Sequence, residues 1–174
     1  MEKFSELIKM RRSMRKFTPE KLTDEQLRTV LRAALMSPSS KGTHCWQFVV
    51  VQDGETLAQL SRCKAQGADF LSGAPCGVVV LADPAVSDVW IEDASVATTM
   101  MLLQAEDLGL GSCWIQVRGR TMADGSDAEA EVRRILAIPA PLRVLSIVAL
   151  GQKGMERKPF NEERLLWDKV STWK

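Results

Sequence analysis

From Ala94 to Ala105 the chain reads A-S-V-A-T-T-M-M-L-L-Q-A, apolar or small on almost every side of a helical wheel. A helix of that kind is either the centre of its fold or a subunit interface, because water is a poor neighbour for every face of it. The helical pattern begins near Asp88 and ends at Leu108, where Gly109-Leu110-Gly111 supplies a C-terminal cap. The rest of the chain must be arranged around this element. With 174 residues in all, there is room for one domain with a real core.

Other elements can be read on either side of it. Phe4, Leu7 and Ile8 have the i, i+3, i+4 spacing of a short first helix. Thr23 and Gln26 form a capping-box pattern, and Leu27, Val30, Leu31, Ala34 and Leu35 mark one face of a second helix. Ser37-Pro38 ends it, since a residue before proline avoids the helical region. Further helices are expected over Glu55–Ala65 and Asp127–Leu136. Strands are expected at Trp46–Val51, Gly77–Ala82, Ser112–Val117 and Val144–Leu150. The unbroken apolar run Val78-Val79-Val80-Leu81 suggests a strand covered on both faces. These elements predict one α+β domain over residues 1–174, a central mixed sheet flanked by helices. Its 152–174 tail carries Trp167 and Trp173 and needs a surface to lie on.

Composition narrows the chemistry. A net charge of +1 gives no global field for nucleic acid or a membrane surface. No run reaches the roughly 18–20 apolar residues of a membrane span. Met1-Glu2-Lys3-Phe4 leads straight into an amphipathic segment. Cys45, Cys63, Cys76 and Cys113 are widely spaced. The expectation is a cytoplasmic protein with reduced thiols and no metal site. The chain has no Tyr, and its one histidine is His44, which reads as a structural residue. A Ser-His-Asp or Cys-His mechanism would have to pass through His44 alone. No catalytic side chain is therefore assigned, and an enzyme built from this chain would rely on a cofactor.

Taken singly, the local motifs are plain. Arg11-Arg12-Ser13-Met14-Arg15-Lys16 is either a solvated loop or an anion site. Pro38-Ser39-Ser40-Lys41-Gly42 is a helix-to-strand turn, and Arg157-Lys158-Pro159 a charged loop. Gly109-Leu110-Gly111 follows a helix and precedes a strand, the reverse of the dinucleotide-binding order. Cys45 reads as a buried thiol.

Their order and spacing carry more. Arg11-Arg12-Ser13-Met14-Arg15-Lys16-Phe17, Ser37-Pro38-Ser39-Ser40 with Trp46 and Phe48, Gly109–Ile115 and Arg157-Lys158-Pro159 fall in sequence as in one family. Along nearly its whole length the chain resembles the FMN-binding nitroreductases. The resemblance implies a homodimer with a long interface helix and a C-terminal tail packed on the partner subunit. Arg11, Arg12, Ser13 and Arg157 would bind the FMN phosphate, and Arg15 would sit at the pyrimidine edge of the flavin. Pro38, Ser39 and Ser40 would reach that flavin from the partner. Trp114, Ile115, Gln116 and Val117 would lie near N5. The implied activity is electron transfer from NADH or NADPH through FMN to a nitroaromatic, a quinone or a similar small acceptor. A flavin-binding protein without turnover, or a flavin enzyme with a different reaction (dehydrogenation or flavin fragmentation), stands as the alternative. One departure is Gly42-Thr43-His44-Cys45-Trp46, where many relatives have Asn-x-Gln-Pro-Trp. It implies weaker FMN binding or a different acceptor.

Overall fold

A computed structural model describes residues 3–173. Met1, Glu2 and Lys174, the ends of the expected domain, lie outside them. The elements follow in the order α1 (Phe4–Met10), α2 (Asp24–Leu35), β1 (Trp46–Val51), α3 (Gly54–Leu60), β2 (Cys76–Ala82), α4 (Trp90–Asp107), β3 (Leu110–Gln116), α5 (Ala128–Leu136) and β4 (Arg143–Gln152). The strands form one sheet in the order β1-β2-β4-β3.

Every pairing in this sheet is antiparallel, which corrects the expectation of a mixed sheet. The apolar run of β2 pointed to a strand covered on both faces, a pattern common in parallel sheets. It is so covered, with all seven residues buried, yet the cover comes from two separate cores. On one face Val78 and Val80 meet α4 through Ala94, Ala97, Met101 and Ala105. On the other, Val79 and Leu81 meet Leu57, Leu60, Val132 and Ile147. Full burial of a Leu or Val side chain contributes about 1.5–3 kcal/mol, so this two-sided centre dominates the stability of the fold. The one parallel contact described is an isolated bridge between Ser13 and Ser112.

Local rules set the helix limits. The N–H of Gln26 donates to Thr23 Oγ1 at 3.1 Å, and the N–H of Thr23 to Gln26 Oε1 at 2.9 Å, closing the capping box of α2. Along α2, Val30 and Ala34 are buried, but Leu35, expected on the same face, is 60% exposed at the helix end. Helix α3 stops at Leu60 rather than Ala65: the N–H groups of Arg62 and Cys63 donate to carbonyls three residues back, each at 3.1 Å, and that of Ala65 leaves for the Thr121 carbonyl at 2.9 Å. Gly109, at φ +72, ends α4 in the left-handed region that glycine adopts without strain.

The all-round apolar α4 is the centre of the fold on one side and is incompletely covered on the other. Ala94, Ala97, Thr98, Met101 and Ala105 are buried against the sheet. Val96 and Thr99 are exposed, and Met100 and Leu103 only half-buried. Helix α1 leans on this outer side without burying any of its own residues. Phe4 and Ile8 are 63% and 51% exposed. The tail behaves likewise, with every residue from Glu156 to Trp173 exposed. Its helical pattern amounts to two short turns, Glu162–Arg164 and Trp167–Lys169. Among the described residues, no helix is long and apolar enough to cross a membrane.

Candidate functional site

The basic segment after α1 is laid along the sheet rather than released into solvent. The N–H of Met14 donates to the Ser112 carbonyl at 2.8 Å, the N–H of Thr18 to Gln152 at 3.1 Å, and the N–H of Gly154 to Lys16 at 2.9 Å. Met14 is 2% exposed and lies on Gly111, where an added Cβ would come within 2.8 Å of its Cγ. Glycine is therefore required at 111 for this close approach. With Met14 turned inward, its neighbours Ser13 and Arg15 are presented outward, as alternation along an extended segment demands.

The result is a cleft of about 740 Å³ whose lining includes Arg11, Arg12, Ser13, Arg15 and Arg157, with Ile8, Phe160 and Leu165 as apolar walls. Five of the twelve expected site residues thus come together from the two ends of the chain. None of the four guanidiniums is in an ion pair among the described residues. The nearby carboxylate, Glu162, is paired with Lys9 at 2.8 Å. One N–H of Arg12 donates to the Lys158 carbonyl at 3.1 Å, which fastens the start of the tail to the cleft. Arg15 stands over the Phe70 ring, 5.9 Å from its centroid.

Strand β3 leads away from this cleft along the edge of the sheet. Ile115 and Val117 are completely buried in the core shared with α3 and α5, so they can offer a ligand only their backbone. Trp114 and Gln116 face the other way. The Trp114 indole N–H donates to Gln116 Oε1 at 2.9 Å, and the Gln116 amide donates to the Arg118 carbonyl at 2.8 Å. Since β3 pairs on one side only, and Ser112 turns its carbonyl outward to Met14, alternation turns the backbone of Trp114 and Gln116 outward too. No partner for those N–H groups is described.

Pro38, Ser39 and Ser40 are elsewhere. The Ser40 N–H donates to Asp93 Oδ1 at 2.8 Å, at the opposite end of α4 from the basic cleft. Ser39 Oγ accepts the His44 N–H at 3.1 Å, and so folds the loop back on itself. His44 is not a core histidine. It is exposed, its φ is +47, and its ring meets Trp46 edge-on at 5.2 Å.

The thiols are held away from solvent and in their neutral form. All four are free and buried. Burial pushes Cys45 up, with the charge of Asp93 adding to it. Burial likewise raises Cys113, although Arg15, Ser13, Lys64 and Arg11 pull against it. Cys63 and Cys76 are pushed to about 11 and about 12 by burial. A thiol held in its neutral form is neither a nucleophile nor a metal ligand. Among the described residues no group of His, Cys, Asp and Glu could hold a metal ion.

Asp93 was not among the expected site residues. Its signal was present: an acid one residue from Ala94, on the stripe Trp90, Asp93, Ala97, Met101 that turns inward.

Comparison with known proteins agrees with this geometry. The model of the Nitroreductase family matches residues 8–70 and 62–152. A protein of Archaeoglobus fulgidus assigned the name NADH dehydrogenase/NAD(P)H nitroreductase is 35% identical over 161 residues, covering 90% of this chain and 89% of its own. The NADPH-flavin oxidoreductase of Vibrio harveyi is 29% identical over 170 residues, covering 88% of this chain and 68% of its own. The solved structure of an FMN-dependent nitroreductase from Clostridium difficile R20291 is 44% identical and superimposes with a TM-score of 0.93, over 95% of this chain and 96% of that one. Family model, sequence relatives and fold all give one answer: the chain belongs to the nitroreductase family.

Proposed function

We propose that this chain is an FMN-dependent oxidoreductase that works as a homodimer, taking electrons from NADH or NADPH and passing them to a small acceptor such as a nitroaromatic or a quinone. The cleft lined by Arg11, Arg12, Ser13, Arg15 and Arg157 carries the reading. Four guanidiniums outside any ion pair and one hydroxyl are the donor set that a phosphomonoester needs. The volume of the cleft lies in the range of small-molecule sites. The names borne by the Clostridium difficile and Vibrio harveyi proteins support the cofactor and the electron donor.

Bound FMN would supply hydride acceptance and release, for which the chain offers no side-chain substitute. The chain's own work is binding and orientation. Arg11, Arg12, Ser13 and Arg157 would hold the phosphate. Arg15 would place fixed positive charge at the pyrimidine edge, where it stabilises developing negative charge without reorganisation. Trp114 and Gln116 would offer outward backbone N–H groups at the sheet edge, with Ile115 and Val117 rooting the strand in the core. With positioning as the main task, the absence of Tyr and the single His are no handicap.

A single chain leaves this site incomplete. From Asp93, which holds the Ser40 loop, to Glu106, beside Arg12 and Arg157 in a neighbouring recess, α4 rises about 20 Å at ~1.5 Å per residue. The two motifs that the family resemblance places on one flavin are therefore at opposite ends of the helix. Antiparallel pairing of α4 with its copy about a two-fold axis brings one chain's loop to the other's cleft. The stripe of exposed Val96 and Thr99 and half-buried Met100 and Leu103 suits that contact. The apolar tail, with Trp167 70% and Trp173 100% exposed, suits the partner's surface. Four buried free thiols fit a reducing, cytoplasmic setting.

The test is twofold. Chromatography of the cofactor released from purified protein should give FMN, and FAD or no flavin after reconstitution would sink the proposal. Anaerobic addition of NADH or NADPH should then bleach the flavin at catalytic rates. Lack of bleaching with either would leave a flavin-binding protein.

A further inference from the structure

Asp93 is a buried carboxylate, 5% exposed, on α4. Its Oδ1 accepts the Ser40 N–H at 2.8 Å. Its Oδ2 accepts the Ser87 hydroxyl at 2.9 Å and the Cys45 thiol at 3.7 Å. No lysine or arginine pairs with it among the described residues. A buried charge held only by neutral donors is a poor way to gain stability, since an apolar residue would avoid the desolvation. The three contacts do share a purpose, however. They tie together the Ser39–His44 loop, the start of β1 and the turn before α4. That loop needs an outside tie. Lys41, Gly42 and His44 have φ of +54, +65 and +47, and left-handed non-glycine residues persist only where their surroundings hold them.

We propose that Asp93 is a positioning residue of the shared site: its buried carboxylate holds the Pro38–Ser40 loop in the form that one chain offers to its partner's flavin. The inference rests on the two-chain site proposed above. It adds a residue from outside the expected motifs, and it predicts that the lesion acts in trans.

Asp93→Ala removes all three contacts. Asp93→Asn keeps a carbonyl oxygen for the Ser40 N–H and can donate to Ser87 Oγ. The first measurement needs no flavin. Trypsin cleavage after the exposed Lys41 should be about tenfold faster or more in Asp93→Ala, because loss of a charge-assisted hydrogen bond raises the open population by that factor. Asp93→Asn should recover much of the difference. Ser87→Ala, which leaves the backbone contact of Ser40, should fall between the two while keeping the wild-type melting profile. FMN affinity should follow the same order.

The third measurement is co-assembly of Asp93→Ala chains with chains carrying Arg11→Ala and Arg15→Ala. Both lesions then fall in one site of each mixed dimer, and about a quarter of wild-type sites should return, since half of the dimers are mixed and each has one intact site. Chains with Ser39 and Ser40 changed to bulky acids serve as the control. If the control complements the arginine lesions and Asp93→Ala does not, Asp93 is merely structural and the proposal fails. Cleavage at Lys41 no faster than wild type in Asp93→Ala would overturn it as well. If neither complements, the shared site itself is wrong and the proposal falls with it.

Discussion

Strand β2 buries all seven of its residues, whereas α1 buries none of its seven. Strand β4 resembles β2, with eight consecutive buried residues from Val144 to Gly151, and the tail beyond Glu156 resembles α1, exposed throughout. Both regions carry large apolar side chains, and these meet opposite fates. The inner strands find cover on both faces within one chain, through α4 on one side and α3 and α5 on the other. Phe4, Ile8, Leu166, Trp167 and Val170 stay more than half exposed. These exposed apolar side chains are the surface that the proposed partner subunit would cover. A single chain thus completes its fold without completing its surface, and the basic cleft lies where α1 meets the tail.

The sharpest way to break this comparison is to remove one side of it. Deletion of residues 160–174 should abolish the dimer and flavin retention together, yet leave cooperative unfolding of the sheet. Sedimentation and absorbance of the flavin band measure the first pair, and circular dichroism during heating the last. A truncated monomer that kept flavin and turnover would show that the tail is ornament.

The converse change should spare the assembly logic and weaken the fold. Leu150 is completely buried in β4, so Leu150→Ala should cost about 2–5 kcal/mol in urea unfolding. Trp167→Ala should leave the unfolding of dilute monomer unchanged and shift the dimer dissociation constant. Equal effects of the two on monomer unfolding would mean that the tail belongs to the core after all.

Arg11 tests the cleft itself. A hydrogen bond to a charged group contributes roughly 1.5–3 kcal/mol, so Arg11→Ala should weaken FMN binding on the order of ten- to a hundredfold by fluorescence titration. Riboflavin, which lacks the phosphate, should lose less. Equal losses would move Arg11 away from the phosphate.

Local signals made much of this legible in advance. Trp46–Val51 was marked by its β-branched and aromatic residues after a turn-rich loop, the Thr23/Gln26 box announced α2, and Gly109 announced the end of α4. Each depends on neighbours within a few positions. The antiparallel order was not legible, because a strand buried on both faces has the same apolar run whichever way its neighbours point. The fate of α3 was hidden for a similar reason, since Ala65 is diverted by Thr121, far along the chain. At the site, order and spacing singled out Arg11, Arg12, Ser13, Arg15 and Arg157, and the fold brings them to one cleft. Asp93 stayed unread because its partners Ser40 and Cys45 are about fifty residues away: its place on the inward stripe of α4 signals burial but not what the carboxylate holds.

The smallest effect separates the two regions by their ion pairs. Glu129 is 4% exposed and receives Arg143 through Nε and the second guanidinium nitrogen, at 2.6 and 2.8 Å, together with the Val144 N–H at 3.0 Å. Burial works to raise its pKa, but these donors outweigh burial and hold the carboxyl below its ordinary value of 4.5. A group whose folded pKa is depressed contributes stability above its unfolded pKa and loses it as pH falls through the folded one. Glu129 should therefore contribute in full at pH 7 and fade only below about 4.5. In Glu129→Gln that part of the acid limb should flatten, and at pH 7 the variant should be less stable than wild type. The pair Lys9–Glu162, with side chains 35% and 65% exposed, should answer to salt instead, since exposed pairs are screened. Thermal melts of wild type, Glu129→Gln and Glu162→Gln, across pH 3–7 and at low and high salt, resolve the two. Salt sensitivity at Glu129 with none at Glu162 would reverse the assignment of core and surface on which the comparison stands.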